Sequence, residues 1–157
     1  MSKGRTGRPH ERGATLVEFA FILPIFVLFV FGVIDLGWAF AQNLAVKQGA
    51  RDGGRIVAVN GGTGTGTAQC QSLQTQIRNR TQELNPGSLT VLLGFTDANG
   101  NGAKDIGELA QVTVKYPLSS LSGLSTAFLS GSMQSRVSVR LEQTGTWATT
   151  DAGGTCQ

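Results

Sequence analysis

The 157-residue chain has little of what most enzymes use for chemistry: one histidine and two cysteines. The histidine, His10, lies in a basic N-terminal stretch, and Cys70 and Cys156 are too far apart in sequence to form a CxxC pair. The serines have no base beside them to make a nucleophile. No apolar pocket signal raises the pKa of an Asp/Glu pair for acid-base work. The chain therefore reads as a non-enzyme. A nucleotide loop is also missing, because the glycine-rich run NGGTGTGT at 60–67 lacks both the Lys-Ser/Thr ending and a leading strand. Basic charge on a folded surface is lacking as well. The formal net charge of +3 comes entirely from Lys3, Arg5, Arg8 and Arg12 against Glu11, and from Ala14 onward nine basic residues balance nine acidic ones. A short basic leader is not the clustered surface that phosphate backbones require, so nucleic acid is excluded as a partner.

The sequence does contain a long apolar run. Phe19 to Ile34 holds sixteen residues without a charge. Extended back to Ala14, the segment spans about 31 Å as a helix, close to the hydrocarbon thickness of a bilayer. Basic residues before it and Asp35 after it predict a single pass of the cytoplasmic membrane. The N-terminus then lies inside and the remainder of the chain outside. Two other readings of the same segment stay open. It could be a secretory signal cut after Ala41, giving a secreted calcium-binding module, or a plain uncut anchor of an envelope protein.

Neither alternative accounts for Glu18, a carboxylate placed where apolar solvent penalises it. A cut after Gly13 would give Ala14 a free amine one helical turn from Glu18, and the two groups could then neutralise each other between parallel copies. The residues here resemble a known family. Gly13 followed by ATLVE and an apolar helix resembles the class III signal of type IV pilin-like proteins. The longer stretch RGATLVEFAFILPIFVLFVFGVIDLGWAF, with Pro24 inside it, and QGARDGGRIVAV at 48–59 resemble the TadE-like pseudopilins of tight adherence (Tad/Flp) pilus systems. The resemblance covers 12–59 and extends only loosely beyond. It implies cleavage between Gly13 and Ala14 by a prepilin peptidase. It also implies a minor role in pilus assembly, with other pilin-like subunits and the inner-membrane assembly machinery as partners, and use of Glu18 and the apolar helix in packing.

Four parts are predicted: a leader over 1–13, a long helix over 14–59, a Gly/Thr linker over 60–67 and an extracytoplasmic α+β domain over 68–157. Pro24 predicts a kink near 20–24, with Thr15 available to compensate. The i, i+4, i+8 stripe Leu36, Phe40, Leu44 is expected to pack on the domain, and the helix to fade near Gly53-Gly54. A second helix is expected over 68–84, with Leu73, Ile77 and Leu84 on one face, Thr67 as its cap and Asn85-Pro86-Gly87 as its stop. The period then changes to two. Leu89, Val91, Leu93, Phe95; Val112, Val114, Tyr116; and Val137, Val139, Leu141 predict three antiparallel strands. Gln111, Thr113, Lys115, Ser138, Arg140 and Glu142 are expected on the wet face. The connection 117–133 is expected to cover the sheet edge.

DANGNGAKDIGE, residues 97–108, has the spacing of a twelve-residue calcium loop. Asp97, Asn99, Asn101, Ala103 through its carbonyl, Asp105 and Glu108 fall at ligand positions, with Gly102 at the sharp turn. Ca2+ prefers six to eight hard oxygen donors, and every ligand position here offers one. The expected flanks are strands and not the helices of an EF-hand, and Lys104 stands where an apolar residue is usual. A polar Asn-Gly hairpin without metal is the competing reading. Outside the cytoplasm, Cys70 and Cys156 can form a disulfide that ties the C-terminal tail down, with Trp147 as its docking residue; free or intermolecularly paired thiols are the alternative.

Overall fold

The computed structural model describes residues 10–81, 83–123 and 131–148, with side chains from Gly13 onward. It is an α+β protein in which one long helix carries a small domain. The elements are α1 (His10–Ala58), α2 (Gly66–Arg80), β1 (Thr90–Thr96), β2 (Leu109–Pro117) and β3 (Ser132–Arg140). The three strands form one antiparallel sheet in the order β1-β2-β3. Its register places Val91, Leu93 and Phe95 opposite Val114, Val112 and Ala110, which in turn face Ser135, Val137 and Val139. The alternation read from the sequence is this inner face: Val91, Leu93, Val112 and Val114 are fully buried. On the opposite face, Thr113 departs from expectation. It is buried, and its hydroxyl accepts a hydrogen bond from Arg136 Nε at 3.3 Å.

α1 has 49 residues and is continuous through Pro24, about 73 Å at 1.5 Å per residue. Its C-terminal half packs on the rest of the domain, but with a different face from the one expected. Leu36, Phe40 and Leu44 are 53%, 68% and 57% exposed, and the packed face is instead Asp35, Gln42, Ala45, Val46, Gly49, Ala50, Gly53, Gly54 and Val57. Close approach explains the choice. A Cβ on Gly53 would lie 3.0 Å from Ile77 Cδ1 and 3.1 Å from Val112 Cγ1, and one on Gly54 would lie 2.9 Å from Val139 Cγ1. Gly53 and Gly54 are therefore seats for α2 and the sheet and not the end of the helix, which runs one turn further to Ala58.

That gives a direct prediction. Gly53→Val should destabilise the domain by about 2 to 3 kcal/mol through overpacking. Gly37→Ala, at a position where an added Cβ would meet nothing within 4 Å, should be neutral or gain up to about 1 kcal/mol from helix propensity. Chemical denaturation of the two variants in detergent checks this.

α1 ends on Asn60, whose φ of 52° is left-handed. Gly61 N–H donates to Ile56 O at 2.9 Å and Asn60 N–H to Val57 O at 3.0 Å, the paired bonds of a Schellman stop. The stretch 60–67 turns the chain into α2. Gln69 Nε2 donates to Asn60 Oδ1 and Gln76 Nε2 to Gly61 O. α2 begins and ends earlier than the sequence suggests. Its N-cap is Thr65, without a side-chain cap bond, and it stops at Thr81, whose hydroxyl donates to Arg78 O at 2.8 Å. Leu84, beyond the helix, still enters the core.

The segment after β3 closes the domain. Trp147 is 1% exposed, and Gly66 N–H donates to Thr146 O while Ala148 N–H donates to Gly66 O. Trp147 therefore docks as expected, at the start of α2. The leader residues 1–9, part of the 117–133 connection and Cys156 lie outside the described residues.

Candidate functional site

Three places carry the residues on which function could rest. The first is the N-terminal part of α1. From Gly13 to Ile34 every residue is exposed, including Phe21 at 75%, Ile25 at 72% and Phe29 at 70%. A helix apolar on all sides needs an apolar surrounding. Gly13–Ala58 is long and apolar enough to cross a membrane, compatible by length and composition with a single-pass membrane anchor. Gly13, Ala14, Glu18 and Pro24 all lie on this exposed helix. Glu18 is one turn, about 6 Å, above Ala14. In this arrangement the carboxylate points away from the domain's own packing and toward whatever surrounds the helix.

The second place is not apparent from the sequence. Asp35, at the end of the apolar run, is 1% exposed. Its Oδ1 accepts from Leu121 N–H at 3.1 Å and Ser122 N–H at 2.8 Å, and its Oδ2 from the Ser120 hydroxyl at 2.8 Å and the Ser122 hydroxyl at 2.6 Å. Two turns along α1, Gln42 Nε2 donates to the Ser119 hydroxyl at 2.7 Å. The segment after β2 is thus fastened to the helix where the apolar run ends. Hydrogen bonds to a charged acceptor contribute roughly 1.5 to 3 kcal/mol each before their ordering cost. The sequence signal is a lone acid after the apolar run and a serine-rich segment. Nothing in the sequence links the two, since the partners are separated by more than eighty positions.

The third place is the β1–β2 hairpin. Asp97 Oδ1 accepts from Gly100 N–H at 2.7 Å and Oδ2 from Gly102 N–H at 2.6 Å. Asn99 and Asn101 accept through Oδ1 from the N–H groups two residues on. Their amide groups donate to Asp105 Oδ2 at 3.0 and 2.8 Å. Glu108, 7% exposed, spans the loop, accepting from Ala98 N–H at 2.9 Å and Asp105 N–H at 3.0 Å. Gly102, at φ 76°, supplies the left-handed turn that the loop requires. The loop therefore brings Asp97, Asn99, Asn101 and Asp105 together, with Glu108 closing its base. Among the described residues, no three Asp, Glu, His or Cys side chains are gathered closely enough to hold a metal on their own. A cation here would need the Asn99 and Asn101 amide oxygens and the Ala103 carbonyl as well.

Lys104 is buried, with Nζ 4.2 Å from the Phe95 ring centroid and 5.7 Å from that of Trp147. Its carbonyl accepts from Gly145 N–H at 2.9 Å. The cation sits over two aromatic rings, so a lysine fills a place that an apolar residue would otherwise take.

Electrostatics follow from these contacts. The Gly102 N–H, with those of Gly100 and the neighbouring residues, holds the Asp97 carboxyl below its ordinary value of 3.8. The Asn101 and Asn99 amides do the same for Asp105, against repulsion from Asp97. Both groups are depressed in the folded chain. Their contribution to the hairpin is therefore present above the unfolded value and is lost as pH falls below it through the folded values. The protection factors of the Gly100 and Gly102 amides, which correct exchange for its intrinsic pH dependence, should fall on acidification below about pH 4, with little change between about pH 5 and 8.

The fold and these sites define a class: a small α+β domain carried on a long helix whose N-terminal half is built for an apolar environment. Residues 13–55 match the family model described as TadE-like protein, the family that the motif around Gly13 and Glu18 resembles. The match covers the apolar helix and the glycine seats, and it supports a role connected with the Tad pilus. No curated protein and no solved structure matches the chain.

Proposed function

We propose that this chain is a minor pilin or pseudopilin that takes part in assembling a tight adherence pilus, as a structural component and not as an enzyme. The observation that carries the reading is the TadE-like match beginning at Gly13, on a helix exposed on every side from there to Ile34. A prepilin peptidase cuts after Gly13. The new amine of Ala14 pairs with Glu18 of a neighbouring pilin-like subunit, and the apolar helix packs laterally with those subunits and the inner-membrane machinery. The leader stays on the cytoplasmic side and the domain faces outward. Deleting the chain in a pilus-forming host tests the role: surface pili should be lost and return with the wild-type chain. Undiminished pili in the deletion would contradict it.

Two features of the domain belong to the same proposal. The 97–108 loop takes Ca2+ weakly, at roughly 10⁻⁴ to 10⁻³ M as in extracellular modules, because Glu108 already closes the hairpin without help. Millimolar Ca2+ should raise the melting temperature of the full chain, and Asp97→Asn should abolish the increase; an unchanged melting temperature in the parent would remove the metal from the account. Cys70, fully buried at the core side of α2, pairs with Cys156 and secures the C-terminal tail. Alkylation of the denatured, unreduced protein should then modify neither cysteine, whereas labelling of both would disprove the bond.

A further inference from the structure

The end of the domain nearest the apolar helix is unusual in charge. Between Glu18 and Lys47 the only charged residue is Asp35, and that carboxylate is 1% exposed and covered by four donors from 120–122. The chain from Tyr116 to Ser135 has no Asp, Glu, Lys, Arg or His at all. Beyond Ile34, the first exposed cation on α1 is therefore Lys47, about 20 Å further along the helix. A water-facing surface of this size ordinarily carries about a quarter to a third of its residues as charges.

What this end exposes is apolar. Leu36, Trp38 and Phe40 are 53%, 38% and 68% exposed, and Leu121, whose N–H is bonded to Asp35, is 60% exposed. The level of these groups can be set from the helix rise. With the hydrocarbon edge at Ile34, Trp38 lies about 6 Å and Phe40 about 9 Å beyond it, which is the depth of the headgroup layer of a bilayer. Tryptophan at that depth is a common anchor. A bare aspartate there would stay hydrated and hold the domain off the surface. The serine hydroxyls and backbone amides of 120–122 remove that obstacle by satisfying it from within the protein.

We propose that segment 118–123, together with Leu36, Trp38 and Phe40, rests in the phospholipid headgroup interface of the membrane that α1 enters, so the domain lies against the lipid surface and is not held clear of it. Asp35 is the positioning residue that fastens the segment at that level. The proposal rests on the reading of α1 as a membrane anchor.

The test uses the full chain in phosphatidylcholine/phosphatidylglycerol vesicles. An environment-sensitive fluorophore is attached in turn after Leu121→Cys, Phe29→Cys as the reference within the apolar run and Ser138→Cys as the exposed reference on β3, with the unsubstituted chain as labelling background. Spin-labelled lipid should quench the probes at 29 and 121 but not at 138, and aqueous iodide should quench 121 several-fold less than 138. Iodide quenching at 121 equal to that at 138, with 29 still quenched by lipid, overturns the proposal and leaves the anchor standing. Protection of 121 from both quenchers means another protein surface covers it, which also overturns the proposal. Iodide access at 29 overturns the anchor reading and this inference together.

Discussion

Glu18→Gln should leave cleavage after Gly13 intact and abolish assembly. The substitution keeps the size of the side chain and removes its charge. An amine then faces a neutral amide at a depth where water is scarce. Breaking a desolvated ion pair by neutralising one partner costs about 3 kcal/mol or more, which is roughly a hundredfold in each helix-helix association. Because losing that contact takes the chain out of the assembly complex, surface pili should fall as they do on deletion while the processed chain accumulates in the membrane. Immunoblotting for the processed form and electron microscopy for pili check the two halves of the prediction separately. Normal pili in the variant would show that Glu18 is an interfacial residue with no partner in assembly. Glu18 is exposed in the isolated chain, so the substitution removes nothing that holds the domain together.

The second large effect is expected at Asp35. Asp35→Ala leaves Ser120, Leu121 and Ser122 without the acceptor that gathers their four donors. The cost should be about 2 to 4 kcal/mol, confined to the contact between α1 and the segment after β2. The sheet and α2 do not depend on that contact, since their core is built from Val91, Leu93, Val112, Val114, Leu73 and Ile77. Hydrogen exchange should accordingly rise by about thirtyfold to a thousandfold at Leu121 and Ser122, while the central strand β2 keeps its protection. Asp35→Asn should fall between the two, because it retains one acceptor oxygen and its amide can donate to a rotated serine hydroxyl. Unchanged exchange at 121–122 in Asp35→Ala would mean that the carboxylate is only a bystander to the segment it touches.

These two acids show which parts of the protein are legible in the sequence. The strands are, because Val, Leu and Phe recur at every second position and that period survives folding; on the other face Gly94 and Thr113 are buried too, Thr113 bonded to Arg136. The apolar run is legible through its length and its lack of charge. The packed face of α1 is not. A hydropathy stripe selects Leu36, Phe40 and Leu44, but the domain packs on Gly49, Ala50, Gly53 and Gly54, where the absence of side-chain volume lets the sheet and α2 approach. Glycine inside a helix looks like a helix end when only propensity is weighed. Close packing reverses that meaning, and it becomes visible only once Val112, Val139 and Ile77 are in place.

The hairpin lies between these cases. Its twelve-residue spacing is readable, and the structure places Asp97, Asn99, Asn101 and Asp105 around one turn, closed by Glu108. Lys104 departs from the calcium-loop pattern, yet its position over Phe95 and Trp147 gives it a packing role. The connection between Asp35 and Ser120–Ser122 is invisible for another reason. Neither partner is unusual by itself, and only the return of the chain after β2 brings them together.

The central claim is that α1 becomes an assembly helix by cleavage in front of Ala14. Intact-mass analysis of the chain expressed with and without a prepilin peptidase tests it most directly. The account predicts a mature chain starting at Ala14 that appears only when the peptidase is present. A chain that keeps its leader beside an active peptidase, or one that starts at Gln42, would contradict it.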